Sequence, residues 1–151
     1  MGKSQIDASL ELERGKGRAR DKRVLVTVDA ILKRLGFHLE PLWDQTFVQR
    51  SKFFVLTEYQ TKSIAECMET VRAIDLFVLP SPELICEISL LPRSLHDLNE
   101  ALMEYERQRN GKDLDFKKLE RQHTLVSNSL SVVRLQVHSI RKKCQNMIEL
   151  L

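Results

Sequence analysis

The sequence is short of the residue types from which β-sheets, disulfide frameworks and membrane spans are built. Of its 151 residues, only 6% are aromatic, five are Gly, four are Pro and three are Cys. No apolar run approaches the roughly 18–20 residues that a membrane-spanning helix needs. With 30% of its residues charged, the chain does not resemble a β-sandwich or an α/β enzyme. Such a composition is typical of long helices with charged outer faces.

The three cysteines, Cys67, Cys86 and Cys144, are too few and too far apart to define a covalent or metal-bound framework. Their odd number and spacings of 19 and 58 residues fit neither a set of disulfides nor a zinc site. Each lies in phase with neighbouring apolar residues, where a free Cys behaves as a small hydrophobe. We therefore expect a soluble intracellular protein, cytoplasmic or nuclear, without a cofactor and without membrane insertion.

The dominant pattern is a heptad repeat that runs from Leu84 to Leu151. Alternating steps of four and three residues visit twenty positions, and seventeen of these are apolar in a chain that is 42% hydrophobic. A repeat of 3.5 residues keeps one edge of a helix facing a partner helix. We name these twenty positions the heptad seam. They predict an all-α protein, with a short N-terminal helical head and long C-terminal heptad helices that form an elongated helical bundle or coiled coil.

The helix boundaries are predicted from periodicity and from the positions of Pro and Gly. Gly36 is expected to end the first helix, and Pro92 to kink or break the heptad segment, because an interior Pro costs about 3 kcal/mol. The helical head is predicted over 21–79, with helices at about 22–35, 42–49 and 51–79. The heptad segment is predicted over 82–151, with helices at about 82–91, 94–110 and 113–151.

Two predicted helix starts carry capping signals. At Asn110-Gly111 the sequence allows either a turn or a continuous helix. Ser81 and Pro82 suit the N-cap and first helical position after the preceding break. Asn110-Gly111 signals a turn, with Asp113 as the cap of the last helix. The heptad phase continues through this turn signal, so a single helix over 94–151 is the alternative.

The N-terminal 23 residues carry the whole net charge of +3, with seven Lys/Arg against four Asp/Glu. Residues 1–20 lack an apolar period and are expected to form a flexible basic arm. This arm either keeps the protein soluble or contacts an acidic surface or a nucleic acid. No aromatic residue is interleaved for base stacking, which weakens the nucleic-acid hypothesis. Its basic residues after residue 13, together with the two that follow it, are Arg14, Lys16, Arg18, Arg20, Lys22 and Arg23.

Six of the nine aromatic residues lie between positions 37 and 59. They are expected to form a hydrophobic plug where the head folds onto the heptad helices. The alternative is a docking site for a partner, because aromatic anchors dominate interface energetics. The candidate docking residues are Trp43, Phe47, Phe53 and Phe54.

No motif in the sequence predicts catalysis. The four His residues are not spaced with carboxylates or Cys as metal ligands on one helix face, and there is no Gly-rich phosphate loop, nucleophile elbow or zinc-protease motif. His123 occupies a seam position, where a polar residue usually determines helix register. We therefore expect no enzymatic activity.

The functional hypothesis is a non-catalytic scaffold or adaptor subunit that binds partner helices through the C-terminal part of the seam. Between residues 112 and 151 the chain carries eight Lys/Arg and four Asp/Glu, which favours an acidic partner helix over a second copy. A nucleic-acid-associated module and a self-contained monomeric bundle are the alternatives. The predicted partner-binding residues are Leu119, His123, Val126, Leu130, Val133, Val137, Ile140 and Met147.

Overall fold

The computed structural model describes residues 2–48 and 58–151. Within these ranges the chain is all helical, as predicted, and contains no strand. Short helical turns with π and 3₁₀ geometry occupy Asp44–Val48 and Leu76–Val78. The four α-helices of the described ranges are α1 (Lys3–Trp43), α2 (Glu58–Arg72), α3 (Pro82–Arg109) and α4 (Phe116–Leu150).

Helix α4 packs against both α3 and α1, and α2 packs against the same two helices. Glu87, near the start of α3, contacts Lys143 near the end of α4, whereas Ala101, further along α3, contacts Gln122 near the start of α4. Helices α3 and α4 are therefore antiparallel. The segment predicted as a head and the heptad segment share one hydrophobic core.

The helical core is built from apolar stripes at heptad spacing. All seven seam positions from Leu84 to Tyr105 are buried, because they turn towards α4 and α2. A second stripe, with the same alternation of three and four residues, lies on α1. Its buried members are Leu25, Val28, Leu32, Leu35, Leu39 and Leu42.

The N-terminal prediction is wrong in its secondary structure. Residues predicted as a flexible arm belong to α1, which also continues through Gly36 and Pro41. A Gly inside a helix costs only about 1 kcal/mol against Ala. Burial of the α1 stripe offsets that cost at Gly36, and the Leu, Glu, Lys and Arg residues of the first half are good helix formers. Of the helix predicted at 42–49, residues 42–43 are the end of α1 and residues 44–48 form the π turn; residue 49 lies outside the described residues.

The predicted break at Pro92 is also wrong, because α3 is continuous from Pro82 to Arg109. Leu91 and Leu95 are completely buried on either side of Pro92, and burying one Leu contributes roughly 1.5–3 kcal/mol. The hydroxyl of Ser94, predicted to cap a new helix, instead donates to the carbonyl oxygen of Leu90 within the same helix, at 3.4 Å.

The turn at Asn110-Gly111 is confirmed, and a single helix over 94–151 is excluded. Helix α3 ends at Arg109, and α4 begins at Phe116. The cap of α4 is Asp115 rather than Asp113, since its carboxylate accepts from the backbone N–H groups of Lys117 and Lys118 at 3.0 and 3.3 Å.

The start of α3 is also confirmed. The Ser81 hydroxyl accepts from the backbone N–H of Leu84 at 3.5 Å, and Pro82 is the first residue of the helix.

The helix predicted over 51–79 is shorter in the structure, where α2 ends at Arg72; residues 51–57 of that prediction lie outside the described residues. Among the described helices, none combines the length and the apolar character needed to cross a bilayer.

Candidate functional site

The heptad seam of α4 lies mostly inside the protein, apart from Phe116 at its start, which is 63% exposed. Its apolar positions from Leu119 to Cys144 are buried, in contact with α3 and α1 of the same chain. Met147 is half-buried against the same core. In this conformation a partner helix would have to displace α1 or α3 to reach the predicted binding residues. The buried seam positions predicted to bind partners are Leu119, Val126, Leu130, Val133, Val137 and Ile140.

His123 is half-buried, and its ring packs edge-on against that of Tyr105, with ring centroids 6.1 Å apart. The neighbouring residue Gln122 is buried and donates from Nε2 to the carbonyl oxygen of Ala101 at 2.9 Å. This hydrogen bond fixes the register of α4 relative to α3, which is the role predicted for His123. Sequence analysis did not single out Gln122, because it lies one residue away from the seam.

Two of the four candidate docking aromatics, Trp43 and Phe47, are among the described residues. The rings of Trp43 and Phe47 are in contact, with centroids 4.1 Å apart and planes inclined by 34°. The guanidinium carbon of Arg134, on α4, lies 3.6 Å from the centroid of the Trp43 ring. This cation–π contact joins the end of α1 to α4. Phe53 and Phe54 lie outside the described residues.

Next to this contact, a cavity of about 780 Å³ lies between α1 and α4. We name it the α1–α4 groove. The buried side chains of Leu39, Leu130 and Val137 form its apolar base. Gly36 also lines the groove, and a Cβ at this position would meet no atom within 4 Å. The absence of a side chain at Gly36 therefore leaves open space in the α1 wall.

The edges of the groove are cationic. Among the described residues, its lining contains five Lys or Arg side chains and one carboxylate, that of Glu40. Asp29 partly compensates this charge, because its carboxylate accepts from Nε of Arg141 at 3.0 Å. The cationic lining residues are Lys33, Arg34, Arg134, Arg141 and Lys142.

The opposite side of α4, which packs on α3, has compensated charges. Lys143 donates to Glu87, and this hydrogen bond raises the pKa of Lys143 above its ordinary value. The carboxylate of Glu83 lies 3.8 Å from the same ammonium group. The hydroxyl of Ser139 also donates to Glu87, at 3.4 Å. On this side of α4, the Lys143 ammonium group is therefore compensated by two carboxylates of α3.

The first half of α1 carries the basic residues predicted for the arm. Residues 4–20 are exposed except for half-buried Gly17, and contact with the helical core begins near Leu25. The predicted cationic residues are all exposed: Arg14, Lys16, Arg18, Arg20, Lys22 and Arg23.

The three thiols are free and differ in exposure, since Cys86 is exposed whereas Cys67 and Cys144 are buried. Burial raises the pKa of the Cys67 thiol, and raises that of Cys144 to about 11. Because the thiolate is the reactive form, neither buried thiol is expected to react readily at neutral pH. No group of three or more His, Cys, Asp or Glu residues in the described part of the chain could hold a metal ion.

A thiol-specific reagent at pH 7.5 is expected to modify Cys86 rapidly and the two buried thiols only after unfolding. The measurement is the modification rate of each Cys, followed by mass spectrometry with and without denaturant. The Cys86→Ser variant is the control and should lose the fast phase. Rapid modification of Cys67 or Cys144 in the folded protein would contradict the packing of α2 or α4 described above.

Over the described residues, the fold and the groove define the class, an all-α protein whose four α-helices leave a cation-edged apolar groove between α1 and α4. Comparison of the chain with protein-family models, with curated proteins and with solved structures finds no match in any of the three.

Proposed function

We propose that the chain is a non-catalytic scaffold or adaptor subunit of a hetero-oligomeric intracellular assembly, of the cytoskeletal, chromosome-segregation or vesicle-tethering type. The observation that supports this proposal is the α1–α4 groove. An apolar centre with a polar edge is the general pattern of protein–protein interfaces. The cationic edge favours a partner surface of opposite charge. Three free thiols fit a reducing compartment.

The partner surface in this proposal differs from the seam. The seam positions of α3 and α4 face one another inside the chain, and their 3.5-residue period supports coiled-coil-like packing within an elongated bundle. Partners would therefore bind to the outer faces of the packed helices. Besides the groove, α4 presents an outer stripe of Leu125, Val132 and Leu135, which are 54%, 47% and 70% exposed.

The proposal is tested on the native protein from the cells that produce it. Gentle isolation followed by light scattering measures the particle mass, and chemical cross-linking with mass spectrometry identifies what is bound. The expected particle is heavier than the 17.6 kDa chain and contains other helical subunits cross-linked to α1 and α4. A native chain that is monomeric and carries no cross-linked protein would overturn the proposal.

A nucleic-acid-associated module is the second candidate, favoured by the exposed cationic first half of α1. Phosphate contacts make binding strongly salt-dependent. If this candidate is correct, DNA or RNA affinity should fall steeply with salt and should be lost when Arg14, Lys16, Arg18 and Arg20 are replaced by Gln. The same variant should retain its protein partners if the scaffold proposal is correct.

A further inference from the structure

We infer that the α1–α4 groove is a docking site for an acidic amphipathic α-helix of a partner protein. This inference rests on the proposed function, because it names the chemistry of the partner. It is carried by the shape of the groove, its open position at Gly36 and the sign of its charge.

The shape of the groove favours a helical occupant. Both walls are α-helices, whose backbone hydrogen-bonding groups are used within each helix, so an extended peptide finds no strand edge with which to pair. The lining of α1 extends from Ala30 to Trp43, which is ~20 Å at ~1.5 Å per residue. This length accommodates between three and four turns of a ligand helix laid along the two walls.

Gly36 provides the position for an anchoring side chain. In helix packing, a side chain of one helix inserts into a hole between residues of its neighbour. The position above Gly36 has room for such a side chain, since a Cβ built there has no neighbouring atom of the described residues within 4 Å. Leu39 and Val137 line the same groove and are buried, and Phe37, which is 78% exposed, also lines it. A large apolar residue of the ligand would cover these groups.

The charge of the groove selects an acidic ligand. Lys33 is on the α1 wall and Lys142 on the α4 wall, and neither forms a salt bridge with a carboxylate of the described residues. A helix with an apolar stripe flanked by Glu or Asp residues would meet a cation on each side. A second copy of this chain is less suitable, because an exposed segment of α4 would bring its own excess of Lys and Arg to the groove.

The test uses the full-length protein and a fluorescent synthetic peptide about 14 residues long, which matches the length of the groove as a helix. The peptide has Leu at every third or fourth position, flanked by Glu. One control peptide has Lys in place of Glu, and another has the same composition with the Leu stripe scrambled. Binding is measured by fluorescence anisotropy across a range of salt concentrations. We expect only the acidic amphipathic peptide to bind, with an affinity that decreases as salt is added.

Two variants locate the binding site. Gly36→Leu fills the open space and should weaken binding by about ten-fold, which corresponds to ~1.4 kcal/mol. Its melting temperature should rise, because Leu is a better helix former than Gly. Gly15→Leu, on the exposed half of the same helix, is the matched control and should leave the affinity unchanged. The double variant Lys33→Glu/Lys142→Glu should also weaken binding and flatten its salt dependence, whereas Arg93→Glu/Arg121→Glu should not.

The results that overturn the inference are distinct from those that overturn the proposed function. Equal binding of the acidic and basic peptides, no binding of the acidic peptide, or unchanged affinity in Gly36→Leu would exclude this docking site. If a native assembly forms and survives Gly36→Leu, the scaffold function stands and the groove assignment fails. If no native assembly forms, the scaffold function itself fails.

Discussion

Leu130→Asp is expected to unfold the protein rather than merely to release a partner. Leu130 is completely buried in α4, in the core shared with α1 and α3. Removing a buried Leu side chain costs roughly 2.7–5 kcal/mol, and an unpaired carboxylate in an apolar site adds a further desolvation cost. Because most domains are stable by only about 5–15 kcal/mol, the sum is enough to abolish folding or nearly so.

The measurement is the free energy of unfolding from urea titration, followed by circular dichroism. Leu135→Asp is the matched control, since Leu135 is on the same helix but is 70% exposed, and its replacement should change stability by less than about 0.5 kcal/mol. The carboxyl introduced by Leu130→Asp would have a raised pKa in the folded state because of burial. The stability difference from the wild type should therefore be smaller below about pH 4 and increase as the pH rises.

The same experiment separates two roles for the seam. A seam that binds only other chains would leave the Leu130→Asp monomer as stable as the wild type and abolish assembly alone. If the seam forms the core of this chain, the isolated Leu130→Asp monomer itself loses stability. A wild-type-like unfolding curve for Leu130→Asp would contradict the packing of α4 against α1 and α3.

The apolar faces of the helices could be predicted from the sequence, because burial of a helix face imposes a period that can be counted. The seam from Leu84 to Tyr105 is of this kind. The turn at Asn110-Gly111 could be predicted from its residue types. Which helix covers each face could not be predicted, since periodicity is the same whether the covering helix comes from the same chain or from another one.

The errors at Gly36 and Pro92 have a common cause. Local rules assign a cost to Gly or Pro in a helix, but whether the helix breaks depends on the burial energy on both sides. Leu35 and Leu39 flank Gly36, and all are held on one continuous helix by the core. Sequence analysis could estimate the local cost and could not estimate the tertiary gain that exceeds it.

The groove was beyond sequence analysis for a different reason. Its walls come from residues about a hundred positions apart, such as Trp43 with Arg134 and Lys33 with Lys142. Within each segment the Lys and Arg residues look like ordinary solvent-exposed charges beside an apolar stripe. Two sequence signals were related to it. Trp43 was a candidate docking residue, and the excess of Lys and Arg after residue 112 indicated an acidic partner without showing where that partner would bind.

Leu32→Ala is expected to destabilise the protein by about 3 kcal/mol, within the range measured for buried Leu→Ala changes. Leu32 is completely buried on the second half of α1, whereas Leu12, on the first half, is 62% exposed. Leu12→Ala should therefore change the free energy of unfolding by less than about 0.5 kcal/mol. Both variants replace Leu by Ala on α1. The difference between their free energies of unfolding therefore measures the packing of α1 on the core.

Amide hydrogen exchange gives the corresponding local measurement. In Leu32→Ala the amides of the second half of α1 should exchange faster, and binding of the acidic peptide should weaken, because the groove exists only while α1 is packed on α4. Leu12→Ala should change neither quantity. Equal stability of the two variants would mean that α1 does not pack on the core. The α1–α4 groove would then lack the wall that α1 forms.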